Sequence, residues 1–277
     1  MIVNSKKMLK DAKKNNTVVF HFNINNLEWT KFILEKCNEL GRPIILGVSE
    51  GAIKYMGGYY VVSSLVRSLY KDLHIKIPVA IHLDHGSSFE SCRCAIDSGF
   101  TSVMIDASKY DYDENVKITK KVVEYAHKRG VSVEAEIGHV GGIEDNVASN
   151  VLLTNLSDCK RYVKDTNIDS LAPAIGTVHG IYKGELNIDY NLIKELSDNL
   201  NIPLVMHGGS GLDKTILKKC VKLGINKINV NSDLQDAWHK DVVLFIKNNK
   251  NIYDPRKVIS AGKDAIYSTI VDKYSII

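Results

Sequence analysis

Three histidines stand where a catalytic metal could be held. His85, His179 and His207 each follow a short apolar run, and each is followed directly by glycine. Three imidazoles leave a zinc ion one open coordination position, which a catalytic site needs for its substrate. No short zinc motif joins the three, so only the fold could bring them together. Glu136, in Glu134-Ala135-Glu136, is placed to serve as an alternative ligand or as the partner of one; it could equally cap a helix or pair with a lysine. Asp84 immediately precedes His85. A carboxylate beside a metal-bound substrate can carry a proton to or from a hydroxyl, or it can simply orient a histidine. Of the other histidines, His74, His127 and His239 fall in helical stretches and read as surface residues, while His21, His82 and His139 stay open.

Two serine-bearing turns, the first of them rich in glycine, suit an anion. One is His207-Gly208-Gly209-Ser210-Gly211 and the other Asn229-Val230-Asn231-Ser232. Glycine lets backbone N–H groups approach a phosphate, and serine hydroxyls complete the cradle. Gly141-Gly142 opens a long segment with Glu144 and Asp145 close behind. Long loops with glycine hinges can act as lids over a site, and the same segment could be a plain solvated loop.

The elements that must position these residues come from the apolar pattern. Eight runs rich in Val and Ile read as strands: Val18–Phe22, Pro43–Val48, Val79–Leu83, Ser102–Ile105, Val131–Glu136, Ser170–Ala174, Leu204–His207 and Lys227–Val230. They lack strict polar alternation, as strands buried on both faces do. Amphipathic stretches lie between them, such as Asp111–Arg129 with Gly130 as its C-cap. Eight βα units predict a single TIM-barrel domain over residues 1–277, with residues 255–277 as an additional C-terminal helix. A doubly wound sheet is the alternative. In a barrel, the unusual polar residues all fall at the C-terminal ends of strands, on the one rim where such folds build active sites. The loops after the seventh and eighth strands, here the two anion-friendly turns, often hold phosphate.

Composition excludes other classes. The chain has 36 Lys and Arg against 32 Asp and Glu, a formal charge of +4, with no basic run interleaved with aromatics. That balance argues against nucleic acid. No apolar run approaches the length of a membrane span. The N-terminus has no apolar core of a signal peptide. Five cysteines, with no CxxC pair, read as reduced thiols and a cytoplasmic location.

Taken in order, the phrases HLDHGSSFE, GFTSVMIDAS, VSVEAEIG, GGIED, HGIYKG, HGGSG and KINVNSD resemble one family, the class II fructose-bisphosphate aldolases with their tagatose-bisphosphate relatives. The likeness runs from FNINN around Asn23 to DPRK around Arg256. It implies zinc on His85, His179 and His207, with Glu136 able to hold it in a displaced position. Asp84 would exchange a proton with the substrate C4 hydroxyl, and Glu144 would be the base that acts on the bound triose ketone. Asn229 would hold the enediolate and Asn23 would orient substrate. Ser49, Gly180, Lys183, Gly208, Ser210, Asn231 and Ser232 would hold or support a phosphate. The family also uses a monovalent cation, Na+ or K+. Arg256 would reach the second phosphate of a bisphosphate from a neighbouring subunit, which implies a homodimer or homotetramer. HGSSF, HGGSG and NVNS are similar to members acting on fructose 1,6-bisphosphate, whereas tagatose-type members more often read HLDHH, HGASG and NVAT. The sequence departs from the family at His139, at Ile143 before Glu144, and at Thr154-Asn155-Leu156, which lacks a proline.

Rival readings remain on the residues alone. A Schiff-base aldolase would need a lysine such as Lys227, which on the predicted boundaries starts its strand and so belongs at the opposite rim. A zinc hydrolase could use the same open metal position. A barrel that only binds sugar phosphates is the non-enzymatic alternative.

Overall fold

The structure, a computed structural model, describes residues 1–138, 141–144, 147–149, 153–180 and 187–277, with the backbone alone at 141–144, 147–149 and 179. Eight parallel strands form a closed barrel: β1 (Val19–Asn23), β2 (Ile44–Ser49), β3 (Val79–Gly86), β4 (Ser102–Ile105), β5 (Ser132–Ile137), β6 (Ser170–Pro173), β7 (Leu204–Met206) and β8 (Ile225–Val230). Each pairs with the next, and β8 closes on β1 with His21 opposite Asn229. Closure rules out the doubly wound alternative and confirms the TIM barrel expected from the pattern.

Helices run back along the outside between successive strands. Many start at a side chain that accepts an otherwise orphaned backbone N–H. Asn26 caps Leu27–Glu39, Ser88 caps Phe89–Asp97, Asp111 caps Tyr112–His127, and Asp213 caps Lys214–Leu223.

Successive strand residues face opposite ways, and the two faces differ. Phe20, Phe22, Leu46, Val48, Ile81, Leu83, Val103 and Val133 join the large apolar cluster that packs under the helices. Val19, Ile45 and Ala80 belong instead to a small separate cluster with Met8, Leu9 and Ala12 of the helix Ser5–Lys14. That helix plugs the N-terminal end of the barrel. Above this layer the inner face turns polar, through His21 and Asn23 of β1, His82 and Asp84 of β3, Glu134 and Glu136 of β5, and Lys227 and Asn229 of β8. All eight are buried.

Two sequence expectations need correction, and a third is refined. The expected C-terminal helix is present and is divided in two, Pro255–Ser260 and Lys263–Tyr274. At Gly262 between them a Cβ would lie 2.2 Å from the Trp238 ring, so only glycine allows this close approach. The second helix belongs to the barrel wall, because Tyr274 sets its ring edge-on to Phe20 and Phe22 of β1. The segment after β5 carries two antiparallel strands, Gly141–Glu144 and Val147–Ser149, and Gly141–Gly142 also pairs with Val178–His179. Finally, Lys227 does not start its strand. β8 begins two residues earlier and Lys227 is fully buried inside the barrel.

Candidate active site

The end of β3 brings two adjacent residues to one place. Regular alternation would send Asp84 and His85 to opposite faces. Instead the register with β4 shifts between Leu83 and Gly86, and His85 adopts φ 48°, in the left-handed region. A non-glycine residue held there is unusual and commonly marks a functional position. The result is that both side chains serve the same rim, with Asp84, His85 and His207 offering ligand atoms all within 4.8 Å of one another.

Asp84 is buried and held on several sides. Its Oδ2 accepts a hydrogen bond from Asn23 Nδ2 at 2.8 Å and lies 3.6 Å from His21 Nε2. Its Oδ1 is 3.4 Å from Asn229 Nδ2. The same Asn229 amide lies 3.4 Å from His207 Nδ1, and its Oδ1 is buried with no hydrogen-bond partner among the described residues. A buried acceptor without a donor is costly, and a substrate hydroxyl would satisfy it.

The histidines pass the test for a metal. His85 Nδ1 faces Asp106 Oδ2 at 2.9 Å, and His207 Nε2 faces Glu134 Oε1 at 3.1 Å. Ionised carboxylates only accept, so each of these ring nitrogens carries the hydrogen. The two remaining nitrogens, His85 Nε2 and His207 Nδ1, face each other 2.9 Å apart. Two lone pairs that close require a proton or a metal ion, and a carboxylate behind each imidazole is the usual support of a metal-binding histidine. A second grouping, His85, Asp106 and Glu136, brings ligand atoms within 4.8 Å of one another, so Glu136 stands close enough to His85 to add an oxygen donor to the nitrogens. Zinc accepts such a set.

The charge states agree with this arrangement. Burial, the largest influence on Asp106, opposes its ionisation. The hydrogen bond from His85, with two bonds from Ser108, outweighs that and holds its carboxyl below the ordinary range. Burial likewise opposes charge on Glu134, but the Lys227 ammonium and the His207 bond hold it well below the ordinary range. A third grouping, His21, His82 and Asp84, also brings ligand atoms within 4.8 Å. There the Lys227 ammonium lies 3.4 Å from His82 Nε2, which disfavours a second cation.

The two anion-friendly turns are stitched together. Ser210 Oγ accepts from Asn231 N at 3.1 Å and from Asp233 N at 3.3 Å, and Gly211 N donates to Asp233 Oδ1 at 2.8 Å. Lys273 of the C-terminal helix pairs with the other oxygen of Asp233. Ser210 thus caps the helix Ser232–Asn248, on whose N-terminal side a phosphate would find a favourable dipole. Gly208 has φ 69°, and a Cβ there would lie 2.2 Å from the Val178 carbonyl oxygen. Its glycine is therefore required by backbone approach as well as by any anion. Ser49 caps the helix Glu50–Met56 through Ala52 N. Gly180 takes φ 85° just beyond the strand Val178–His179.

Other predicted residues are placed apart or lie outside the described residues. Lys183 and the side chains of Glu144 and His179 fall outside them. The Arg256 side chain is 88% exposed and forks onto Asp254, at 2.8 Å for the closest contact.

Reading the sequence missed Asp106, Glu134, His82, His21 and Lys227 as parts of the site. A signal was there. Polar residues recur at alternate positions inside otherwise apolar strands, as His21 and Asn23, His82 and Asp84, Glu134 and Glu136, Lys227 and Asn229. Period two in a buried strand marks one face, and here it marks the barrel interior.

Comparison with known proteins points the same way. The family model described as "Fructose-bisphosphate aldolase class-II" matches residues 3–277. The fructose-bisphosphate aldolase of Geobacillus stearothermophilus is 52% identical over 273 residues, covering 98% of this chain and 95% of that one. That of Staphylococcus aureus is 51% identical over 273 residues, covering 98% and 96%. Among solved structures, the YdjI aldolase from Escherichia coli K12 superposes with a TM-score of 0.86 at 28% identity, covering 100% of this chain and 97% of that one. The fructose-bisphosphate aldolase from Campylobacter jejuni shares the fold with a TM-score of 0.85 at 22% identity, covering 99% and 95%.

Proposed function

The chain belongs to the class-II fructose-bisphosphate aldolase family, and from that premise we propose which of its residues do the work. The reaction is the reversible cleavage of fructose 1,6-bisphosphate into dihydroxyacetone phosphate and glyceraldehyde 3-phosphate. The observation that carries the assignment is Asp84, fixed between Asn23 and Asn229 beside two histidines whose ring nitrogens face each other 2.9 Å apart.

His85 and His207 would hold zinc, with His179 as the third imidazole and Glu136 as the alternative ligand. The ion when bound supplies Lewis acidity, drawing electron density from a carbonyl oxygen. Asp84 takes the proton of the C4 hydroxyl as the C3–C4 bond breaks and C4 becomes the aldehyde carbon. The electron pair of that bond moves toward the C2 oxygen, and a proton returned to C3, from Glu144 in this reading, completes dihydroxyacetone phosphate. Asn23 keeps Asp84 in place, and Asn229 presents its acceptor oxygen to a substrate hydroxyl. Ser210 and Ser232 with their glycines, together with Ser49, Gly180, Lys183 and Asn231, would hold or support one phosphate, aided by a monovalent cation, Na+ or K+. Arg256 would grip the other phosphate in a neighbouring subunit of a homodimer or homotetramer, because bidentate guanidinium suits phosphate and here it projects into solvent.

A Schiff-base mechanism finds no support at Lys227. Its ammonium is fully buried and held by both oxygens of Glu134, at 2.7 and 3.0 Å, so it is neither accessible nor a free amine. The test is direct. Activity on fructose 1,6-bisphosphate should be lost on chelation, return with zinc, and survive borohydride in the presence of substrate. Borohydride inactivation of the zinc-free protein would overturn the metal-dependent assignment, and equal or faster turnover of tagatose 1,6-bisphosphate would overturn the substrate preference.

A further inference from the structure

A chain of hydrogen bonds runs up the inside of the barrel from the plug helix to a proposed metal ligand. At its foot Ser5 Oγ touches Ser132 Oγ at 2.9 Å and Ser102 Oγ at 3.0 Å. Ser102 Oγ meets His82 Nδ1 at 2.8 Å, and His82 Nε2 lies 3.4 Å from Lys227 Nζ. Lys227 Nζ binds Glu134, and Glu134 Oε1 meets His207 Nε2 at 3.1 Å. Every member is buried.

The polarity of the upper part of this chain is fixed. An ammonium can only donate, so His82 Nε2 accepts from Lys227 and His82 Nδ1 donates to Ser102 Oγ. Between Ser102, Ser5 and Ser132 either hydroxyl of each pair can donate. On the other side Glu134 accepts from Lys227 and also accepts from His207 Nε2. The contacts of Lys227 thus set the bond directions from His82 to His207.

Such a pair is poor value as a stabiliser. Removing two charges from water costs about as much as their attraction returns, and apolar replacements are often neutral or better. The chemistry of the neighbours suggests what keeps it. Both oxygens of Glu134 accept from Lys227, which fixes the carboxylate so that Oε1 also accepts from His207 Nε2. The hydrogen of His207 therefore sits on Nε2, and Nδ1 faces His85.

We propose that Lys227 and Glu134 are positioning residues that lock His207 in its metal-binding tautomer, with His82, Ser102 and Ser5 anchoring the pair from below. The proposal rests on the reading that zinc binds between His85 and His207. Neither residue touches substrate.

The experiment measures zinc binding by chelator competition on the metal-free protein, and the His207 tautomer by long-range 1H–15N NMR. The double variant Glu134→Leu/Lys227→Met replaces the pair by apolar groups of similar size, so the fold survives and no charge is stranded. Zinc affinity should fall by about 10–100-fold, and the single Nε2–H tautomer of His207 should become a mixture. In Glu134→Gln/Lys227→Met the amide oxygen still accepts from His207, and the amide nitrogen can turn toward His82 Nε2. Affinity should then return to within a few-fold of the parent. A role in filling space alone would not separate Leu from Gln in zinc affinity. Equal zinc affinity and an unchanged tautomer in a folded Leu/Met variant would overturn the proposal while leaving the metal site standing. A parent protein that takes up no zinc at all would overturn both.

Discussion

Phe20 and Phe22 stack against each other on the outside of β1, ring centroids 5.7 Å apart, with Tyr274 edge-on to both. His21 and Asn23, each one residue away, point the other way, toward Asp84. The two faces of one five-residue strand thus do different work. The outer face removes aromatic and aliphatic surface from water, which is the dominant stabilising contribution. The inner face spends burial on groups that lose solvation and recover it only through one another. Stability and chemistry are therefore separable by alternate residues, and substitutions on the two faces should give opposite signatures.

The largest effect should come from the inner face. Asp84→Ala should lower cleavage by ~10²–10⁴-fold, the range for a positioned acid–base group, while urea unfolding stays close to the parent. The variant should still exchange the C3 proton of dihydroxyacetone phosphate, whereas Glu144→Ala should lose that exchange. Normal exchange in Glu144→Ala would assign the base to another group.

The converse change is Phe22→Ala. Emptying a buried aromatic site should cost about 3–5 kcal/mol of stability, read as a lower urea midpoint. Zinc affinity and activity per folded molecule should be nearly unchanged. A large loss of zinc affinity in folded Phe22→Ala would show that the faces are coupled rather than separable.

Acid should also act through the inner face. Burial, aided by Lys227, holds His82 well below its ordinary value, with Glu134 opposing; burial holds His21 down in the same way, with Asp84 opposing. Both rings are neutral in the fold. Below about pH 6.5 the unfolded chain takes up protons that the folded chain refuses, so stability is complete above that pH and falls below it. The loss should be about 1.4 kcal/mol per pH unit for each ring. Urea midpoints of chelator-treated protein at pH 7.5 and 5.5 measure it, and equal midpoints would mean that the rings charge in place.

The smallest expected effect lies at the stitched turns. Ser210→Ala removes the acceptor for two backbone N–H groups and should cost about 1 kcal/mol of stability. The Michaelis constant should rise with little change in turnover, as expected for a group that binds phosphate in ground and transition states alike. A turnover defect with an unchanged Michaelis constant would argue that Ser210 positions the reacting atoms.

The difference between the faces also explains what could be read before the fold was known. The outer face was legible because Val, Ile and Phe report burial directly, and all eight barrel strands were placed with ends shifted by at most three residues. Residues at strand ends were legible because glycine follows the histidines, which is why His85 with its neighbour Asp84, and His207, could be singled out, while Asn229 stood out only as a polar residue closing an apolar run. Glu134 and Lys227 were not, because nothing in either residue says that its partner lies across the barrel, 93 positions away. The placement of Lys227 went wrong for a simpler reason. The expected strand started at Lys227, yet Asn226 before it belongs to the strand, where its side chain accepts from Leu204 N and donates to Thr17 O. The kink at His85 was equally hidden, since only glycine announces a left-handed backbone by its own identity.

The seam between β1 and β8 sets an order of events. Val19 pairs with Lys227 and Phe22 with Val230, so the first strand made waits for the last before the ring can shut. Asn229 meets Asp84 only when that last strand has joined, and Lys273 reaches Asp233 later still in the chain. A nascent chain that has not yet released residue 230 from the ribosome can bury the outsides of seven strands, but it cannot enclose Asp84. The contact of Asn229 with Asp84 therefore waits for β8, and an N-terminal fragment that stops before β8 lacks it.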